Sequence, residues 1–181
     1  MAQWNAANNI TGAWVLDLSR SDTFEAYLLC LGTPPQAIRA QVAGEREHQS
    51  RNVIALSNSH LVIHKRTAVN NFTESFKLDE EKVAPARPWN LSPEGAGGVN
   101  QVKVCLGDDG QLDGYVVATT TCGPGGRESI ETVEVRQLVD GGQAHIQQIN
   151  MQNLINGGQC VVMRYWVRVA MTEEDHVLVG I

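Results

Sequence analysis

Gln159-Cys160-Val161-Val162-Met163-Arg164-Tyr165-Trp166-Val167-Arg168-Val169 reads as one long strand. Val, Tyr, Trp and Cys suit a pleated surface, and Gly157-Gly158 turns the chain into it. Side chains along a strand alternate between its two faces. Cys160, Val162, Arg164, Trp166 and Arg168 therefore share one face, and Val161, Met163, Tyr165, Val167 and Val169 share the other. On periodicity alone the second set is the one to bury, which leaves both arginines in water. The alternative is a barrel with a partly polar interior, in which Arg164 points inward to hold an anion.

The chain before this strand decides between the two. Ile10–Leu18 is a first strand opening on Gly12-Ala13-Trp14. Two helical stretches follow. Asp22 caps the first, Phe24, Tyr27, Leu28 and Leu31 share its face, and Gly32 ends it. Thr33 caps the second, Pro34 and Pro35 occupy its first turn, Ile38 and Val42 line its buried side, and Gly44 stops it. Nothing basic marks this helix–turn–helix as a reader of DNA. Further strands are predicted at Asn52–Ser57, His60–Thr67, Asn71–Asp79, Lys82–Ala86, Gln101–Leu106, Leu112–Thr121, Glu128–Val139 and Ala144–Gln152. Their connections are short and rich in turn residues, as in Ser57-Asn58-Ser59, Asp108-Asp109-Gly110, Asp140-Gly141-Gly142 and Asn156-Gly157-Gly158. Short connections force antiparallel neighbours. The fold class expected is all-β: a ten-stranded antiparallel up-and-down barrel, closed so as to remove its edges and capped by the helix–turn–helix. Arg87–Val99 interrupts the rhythm as a surface loop of proline and glycine.

Bulk properties agree. With 181 residues the chain is expected to be a single domain, its core covering about residues 10–169 between an N-terminal arm and a C-terminal tail. A net charge of -6 argues against nucleic acid as a partner, and no apolar run has the length of a membrane span. The opening residues lack the basic and apolar regions of a signal peptide, which points to the cytoplasm. Cys30, Cys105, Cys122 and Cys160 have neither metal-ligand nor redox spacing and read as reduced, small core residues. His60 and His64 sit too far apart on a strand to suggest a metal site, and no cofactor is expected.

Strand, two short helices, then nine meander strands resembles the intracellular fatty-acid-binding protein family among the lipocalin-like (calycin) barrels, as a divergent member. Gly12-Ala13-Trp14 is similar to that family's G-x-W start, Phe24–Gly32 to its first helix, and Ala37-Ile38-Arg39 to its second. Asn71–Asp79 resembles its fourth strand, with Phe76-Lys77-Leu78 as the F-K-L ending. Arg87-Pro88 is similar to a G-R-P stretch of the retinoic-acid-binding branch. Arg136–Gly141 resembles the strand carrying one internal arginine, and Met163-Arg164-Tyr165-Trp166 the final T-R-x-Y. The resemblance implies the opposite face assignment for the last strand. Arg164 and Trp166 turn inward, Arg136 lies across from them on a neighbouring strand, and together they hold the carboxylate of a fatty acid or similar hydrophobic ligand. It also implies a cavity bordered by Phe24, Tyr27, Leu31, Ile38, Val69 and Phe76, entered between Ile38, Val42, the Ser57–Ser59 turn and Pro85–Arg87.

The match has departures. Trp166 stands where the family has tyrosine, and an indole N–H donates but cannot accept. Glu134 shares the face of Arg136 and can neutralise it from within. Met163, Tyr165, Val167, Val133 and Val135 then point outward, to be covered by the arm with Trp4, by the tail from Met171, or by a partner. A monomer is expected, with a dimer through that apolar face as the alternative. Carriage of the ligand is the first functional reading. The second is an enzyme or pigment-handling protein on the same barrel, for which Glu134 with His145 is the one acid–base pair to nominate.

Overall fold

The computed structural model describes residues 8–68, 70–85, 98–107, 110–123 and 128–180. The expectations at Trp4, Val69, Arg87 and most of the Arg87–Val99 loop fall outside them. Strand β1 (Gly12–Leu16) leads into helices α1 (Glu25–Cys30) and α2 (Pro35–Glu47). The meander follows as β2 (Arg51–Leu56), β3 (His60–Arg66), β4 (Asn71–Lys77), β5 (Glu81–Pro85), β6 (Val99–Leu106), β7 (Gly114–Cys122), β8 (Glu128–Val139), β9 (Ala144–Asn153) and β10 (Gln159–Val169). Helix α3 (Glu173–Val179) follows the last strand.

All ten strands belong to one sheet of order β4-β3-β2-β1-β10-β9-β8-β7-β6-β5. Every pairing is antiparallel, and β1 joins the two halves by pairing with both β2 and β10. The barrel is nearly closed rather than closed. β4 and β5 lie at opposite ends of the ladder order, so the expected removal of all edges does not occur. At the turn between them Asp79, at φ 62°, gives its N–H to Val104 O of β6 at 2.7 Å. Lys82 Nζ donates across the seam to Ser75 O at 2.9 Å.

The Gly12-Ala13-Trp14 start has a local cause. Gly12 has φ 153°, and a Cβ there would sit 2.5 Å from Arg168 Nη1. Through that gap Arg168 donates to Thr11 O (2.8 Å), Asn9 O (2.9 Å) and Gly142 O (2.6 Å), with its guanidinium 4.1 Å over the Trp14 ring. Buried Trp14 donates to Ile10 O at 3.0 Å. Arg168 thus ties β10 to the segment that leads into β1 and to the turn between β8 and β9.

The helices differ from expectation at their ends. Asp22 does not cap α1; its carboxylate accepts from Met163 N at 2.8 Å and so binds β10 instead. Pro34, not Thr33, stands at the N-cap of α2. Gly44 does not stop α2, which runs on to Glu47. An interior glycine costs roughly 1 kcal/mol against alanine, and the ion pair made by Glu45 one residue later opposes that loss.

The main core lies at the end of the barrel carrying the β2–β3, β4–β5 and β6–β7 connections. Leu56, Leu61, Leu78 and Val104 pack there with Ile10, Trp14 and Tyr115. The helices cap the other end, where Asn153 Nδ2 donates to Cys30 O at 2.8 Å and Cys30 packs with Ile130 and Met151. The tail forms α3, which packs through Val179 on Ala13, Val53 and Ala55 outside β1 and β2. It therefore covers a different surface from the one expected. Val133 and Met163 remain 39% and 36% exposed, while Tyr165 is covered by Arg20, whose guanidinium lies 3.4 Å from the ring centroid.

Candidate functional site: a charged cavity inside the barrel

Between the sheet and the two helices lies a cavity of about 490 Å³. The inward phase of each strand makes its wall, apolar from Leu61, Ile63, Phe76, Val102 and Val117. Phe24, Tyr27, Leu28 and Leu31 of the α1 region close it from above. On β10 the inward residues are Val162, Arg164 and Trp166, all buried, while Val161 and Met163 face out. The face assignment favoured by simple periodicity is therefore the wrong one for this strand.

Arg136 and Arg164 are not on neighbouring strands. β9 runs between them, and Gln147 is paired in register with Arg164 on one side and Arg136 on the other. Gln147 Oε1 accepts the indole N–H of Trp166 at 2.9 Å, which accounts for a donor-only ring at this position.

Arg136 is 1% exposed and fully engaged on three sides. Its Nε donates to Glu134 Oε1 at 2.6 Å. Its Nη1 meets His145 Nε2 at 3.3 Å. With the Asn52 amide turned to satisfy both its ends, Nη1 also donates to Asn52 Oδ1 at 3.0 Å, and Asn52 Nδ2 donates to Arg51 O at 3.1 Å. The Trp166 ring centroid lies 5.4 Å from the guanidinium.

Arg164, likewise 1% exposed, forks onto Glu45: Nη1 reaches Oε2 at 3.2 Å and Nη2 donates to Oε1. Nη1 also donates to Asp22 O at 3.1 Å, and Phe24 lies 4.4 Å beneath the guanidinium. A third pair, Lys65 with Glu74 at 3.2 Å, lies on the same wall. Among the described residues the charged groups lining the cavity are these six, in three ion pairs.

Burial and pairing set the titration behaviour. Burial pushes the Glu134 carboxyl up, but the Arg136 guanidinium, Lys65 and hydrogen bonds from Arg136 and Gln147 outweigh it and hold it below the usual carboxylate value. Arg136 is raised: burial opposes its charge, and Tyr115 and Glu134 overcome that. Burial, with help from the Arg136 and Arg168 charges, holds His145 well below an ordinary histidine, so it is neutral. Burial also pushes the Tyr27 hydroxyl up to about 12.

Of the residues named from sequence, Arg136, Arg164, Trp166, Phe24, Tyr27, Leu31 and Phe76 line the cavity. Ile38 is buried but does not line it; α2 reaches the cavity through Ala40, Gln41, Gly44 and Glu45. The Ser57–Ser59 turn, expected at the entrance, does not line the cavity. That turn sits over the core end, where Leu78 N donates to Ser59 O at 2.8 Å. The turn bordering the cavity joins β3 to β4, at Thr67, Ala68 and Asn70. The nominated acid–base pair is split, with Arg136 lying between Glu134 and His145, and His145 is wedged between Trp14 and Trp166 and does not line the cavity. His64 accepts or donates to Thr73 Oγ1 at 2.9 Å. Site residues that went unread include Glu45, Asn52, Lys65, Glu74, Tyr115 and Gln147. Gln147 had a signal, since it falls two residues after His145 on the inward phase of β9. Glu45 had none once the helix was ended at Gly44.

A helix-capped, ten-stranded, nearly closed barrel around a cavity is the fold of the fatty-acid-binding proteins. Solved structures of that kind superpose over almost their whole length. Apo lipid binding protein 8 of Caenorhabditis elegans matches with a TM-score of 0.63 at 16% identity, covering 93% of this chain and 99% of that one. The REP1-NXSQ fatty acid transporter matches at 0.61 and 13% identity over 90% and 98%. The Schistosoma mansoni fatty acid binding protein in complex with arachidonic acid matches at 0.59 and 15% identity over 89% and 96%. No family model and no curated protein matches the chain.

Proposed function

We propose that this chain binds a single-chain hydrophobic ligand inside the barrel and carries it, as a cytoplasmic monomer. The observation that supports the reading is the 490 Å³ cavity, apolar over most of its wall with a few convergent polar groups. The structures it resembles include a fatty acid transporter and a complex with arachidonic acid. Among the described residues no helix is long and apolar enough to cross a membrane. A fatty acid or other hydrophobic carboxylate, the ligand expected from the sequence, belongs to this class. For it to be held by Arg164 and Arg136 beside Trp166, its carboxylate must take the place of Glu45 or Glu134. Phe24, Tyr27, Leu31 and Phe76 would then surround its chain.

The test is to purify the protein gently, extract it and identify what comes out by mass spectrometry, then titrate the stripped protein with a fluorescent fatty acid analogue. A lipid in near-equimolar amount and saturable uptake of one probe are expected. Lipid-free protein that also shows no saturable uptake would overturn the reading.

A further inference from the structure

The six charged side chains on the cavity wall cancel in pairs: Arg164 with Glu45, Arg136 with Glu134 and Lys65 with Glu74. A carboxylate entering this space either brings an uncompensated charge into a low-dielectric interior or must strip an arginine of the partner it already holds. Neither cost arises for an uncharged head. Two donors on the same wall are still unused. The Tyr115 hydroxyl and the Arg164 Nε–H are buried and have no hydrogen-bond partner among the described residues. Both residues are at least nine-tenths buried, Tyr115 and Arg164 each at 1% exposure. Burial also pushes the Tyr115 phenol up, so it keeps its proton as a donor.

We infer that the ligand is a lipid with an uncharged hydroxyl or ester head, such as a fatty alcohol or a monoacylglycerol, and that the unused donors of Tyr115 and Arg164 serve the oxygens of that head. The inference rests on the lipid-binding reading above and sharpens it to a ligand class. A neutral oxygen can accept from either donor. For a hydroxyl proton the cavity wall offers the carboxylates of Glu134 and Glu45, each with acceptor capacity beyond its arginine. The ion pairs then act as a fixed, net-neutral polar frame that rewards hydrogen bonding and penalises added charge.

The experiment titrates the stripped, unmodified protein at pH 7 with hexadecanol, the hexadecanoyl monoglyceride and hexadecanoic acid, each displacing an uncharged fluorescent lipid probe. The neutral lipids are expected to bind about tenfold or more tightly than the acid, the scale of one hydrogen bond to a charged group. Tyr115→Phe is expected to weaken the alcohol about two- to tenfold, the worth of one neutral hydrogen bond. Glu134→Gln frees Arg136 and is expected to raise acid affinity about tenfold. Acid binding as tight as alcohol binding to the unmodified protein overturns the inference and leaves lipid binding standing. Saturable binding of none of the three overturns both. Those two arms need no variant to fold.

Discussion

Glu45 in the last turn of α2 grips Arg164 in the middle of β10 with both oxygens of its carboxylate. This joins the helical cap to the strand that completes the barrel, and Asp22 reinforces it by accepting from Arg164 through its carbonyl and from Met163 N through its carboxylate. The pair is unequal in burial, with the Arg164 side chain 1% exposed and the Glu45 side chain 14%. Removing either partner therefore has different consequences. Glu45→Gln leaves a guanidinium buried without a counterion and should cost roughly 1.5–3 kcal/mol of unfolding free energy. Arg164→Met leaves a carboxylate near the rim that can reach water, and should cost less. Glu45→Leu combined with Arg164→Met should recover stability relative to Glu45→Gln, because a well-packed apolar pair replaces the ions. Denaturant titrations of the three variants check the order; equal losses for both single changes would contradict it.

How much of this was legible follows from which rules are local. The meander, the turns and the inward arginines follow from strand alternation, turn residues and the resemblance of Met163–Trp166 to a known closing motif. The face of β10 was misread by periodicity because the barrel interior is polar along this strand and Tyr165 is shielded by Arg20, a contact from 145 positions away by the sequence numbering. Glu45 was invisible because intrinsic propensity ends a helix at Gly44, whereas a tertiary ion pair carries it a turn further. The gap between β4 and β5 was invisible for a similar reason. Short turns predict that chain neighbours pair, yet β4 and β5, consecutive strands joined by the turn at Asp79, do not, and Asp79 N donates to Val104 O of β6 instead. The pairing of Glu134 with Arg136 was readable, since residues two apart on a strand share a face.

His145 gives a pH signature. It is 0% exposed and neutral, held well below the ordinary histidine value by burial first and by Arg136 and Arg168 next. In the unfolded chain the same residue takes a proton near pH 6.5. Below that pH the unfolded state binds more protons than the native one, so stability falls as pH drops. The decline from this group should approach about 1.4 kcal/mol per pH unit between pH 6 and 5. His145→Gln should be less stable at pH 7, through lost packing against Trp14 and Trp166, yet show a flatter dependence in that window. Urea unfolding at several pH values compares the slopes, and identical slopes would rule out His145 as the titrating group.

Helix α3 is built to be stable at its start. Thr172 and Asp175 form a reciprocal capping box, and buried Asp175 also takes Arg51 Nη2 at 2.5 Å. Asp175→Ala removes the cap and the ion pair together and should cost about 1–3 kcal/mol. Val179→Asp should loosen the helix from Ala13, Val53 and Ala55 without touching the cavity. Lipid affinity should survive both changes while the midpoint of unfolding drops. A loss of binding that exceeds the loss of folded protein would mean that α3 communicates with the cavity.

The entrance can be located from residues that border the cavity and solvent at once. Ala40 and Gln41 on α2 and Ala68 on the β3–β4 turn line the cavity and are exposed. A Cβ on Gly44 would lie only 3.6 Å from Ala68 Cβ, so helix and turn face each other across a narrow gap. Bulk placed there should obstruct passage without altering the site beneath. Ala40→Trp and Ala68→Trp are each expected to slow uptake and release of a fluorescent fatty acid analogue by similar factors, about tenfold or more if passage is steric. The equilibrium affinity should stay within about threefold, because a barrier raised for entry is raised equally for exit. A charge at Ser59, beside the sealed core end, should leave both rates unchanged. Stopped-flow traces decide it: slowed exchange in the Ser59 variant, with normal rates in the two tryptophan variants, would move the entrance to the opposite end of the barrel.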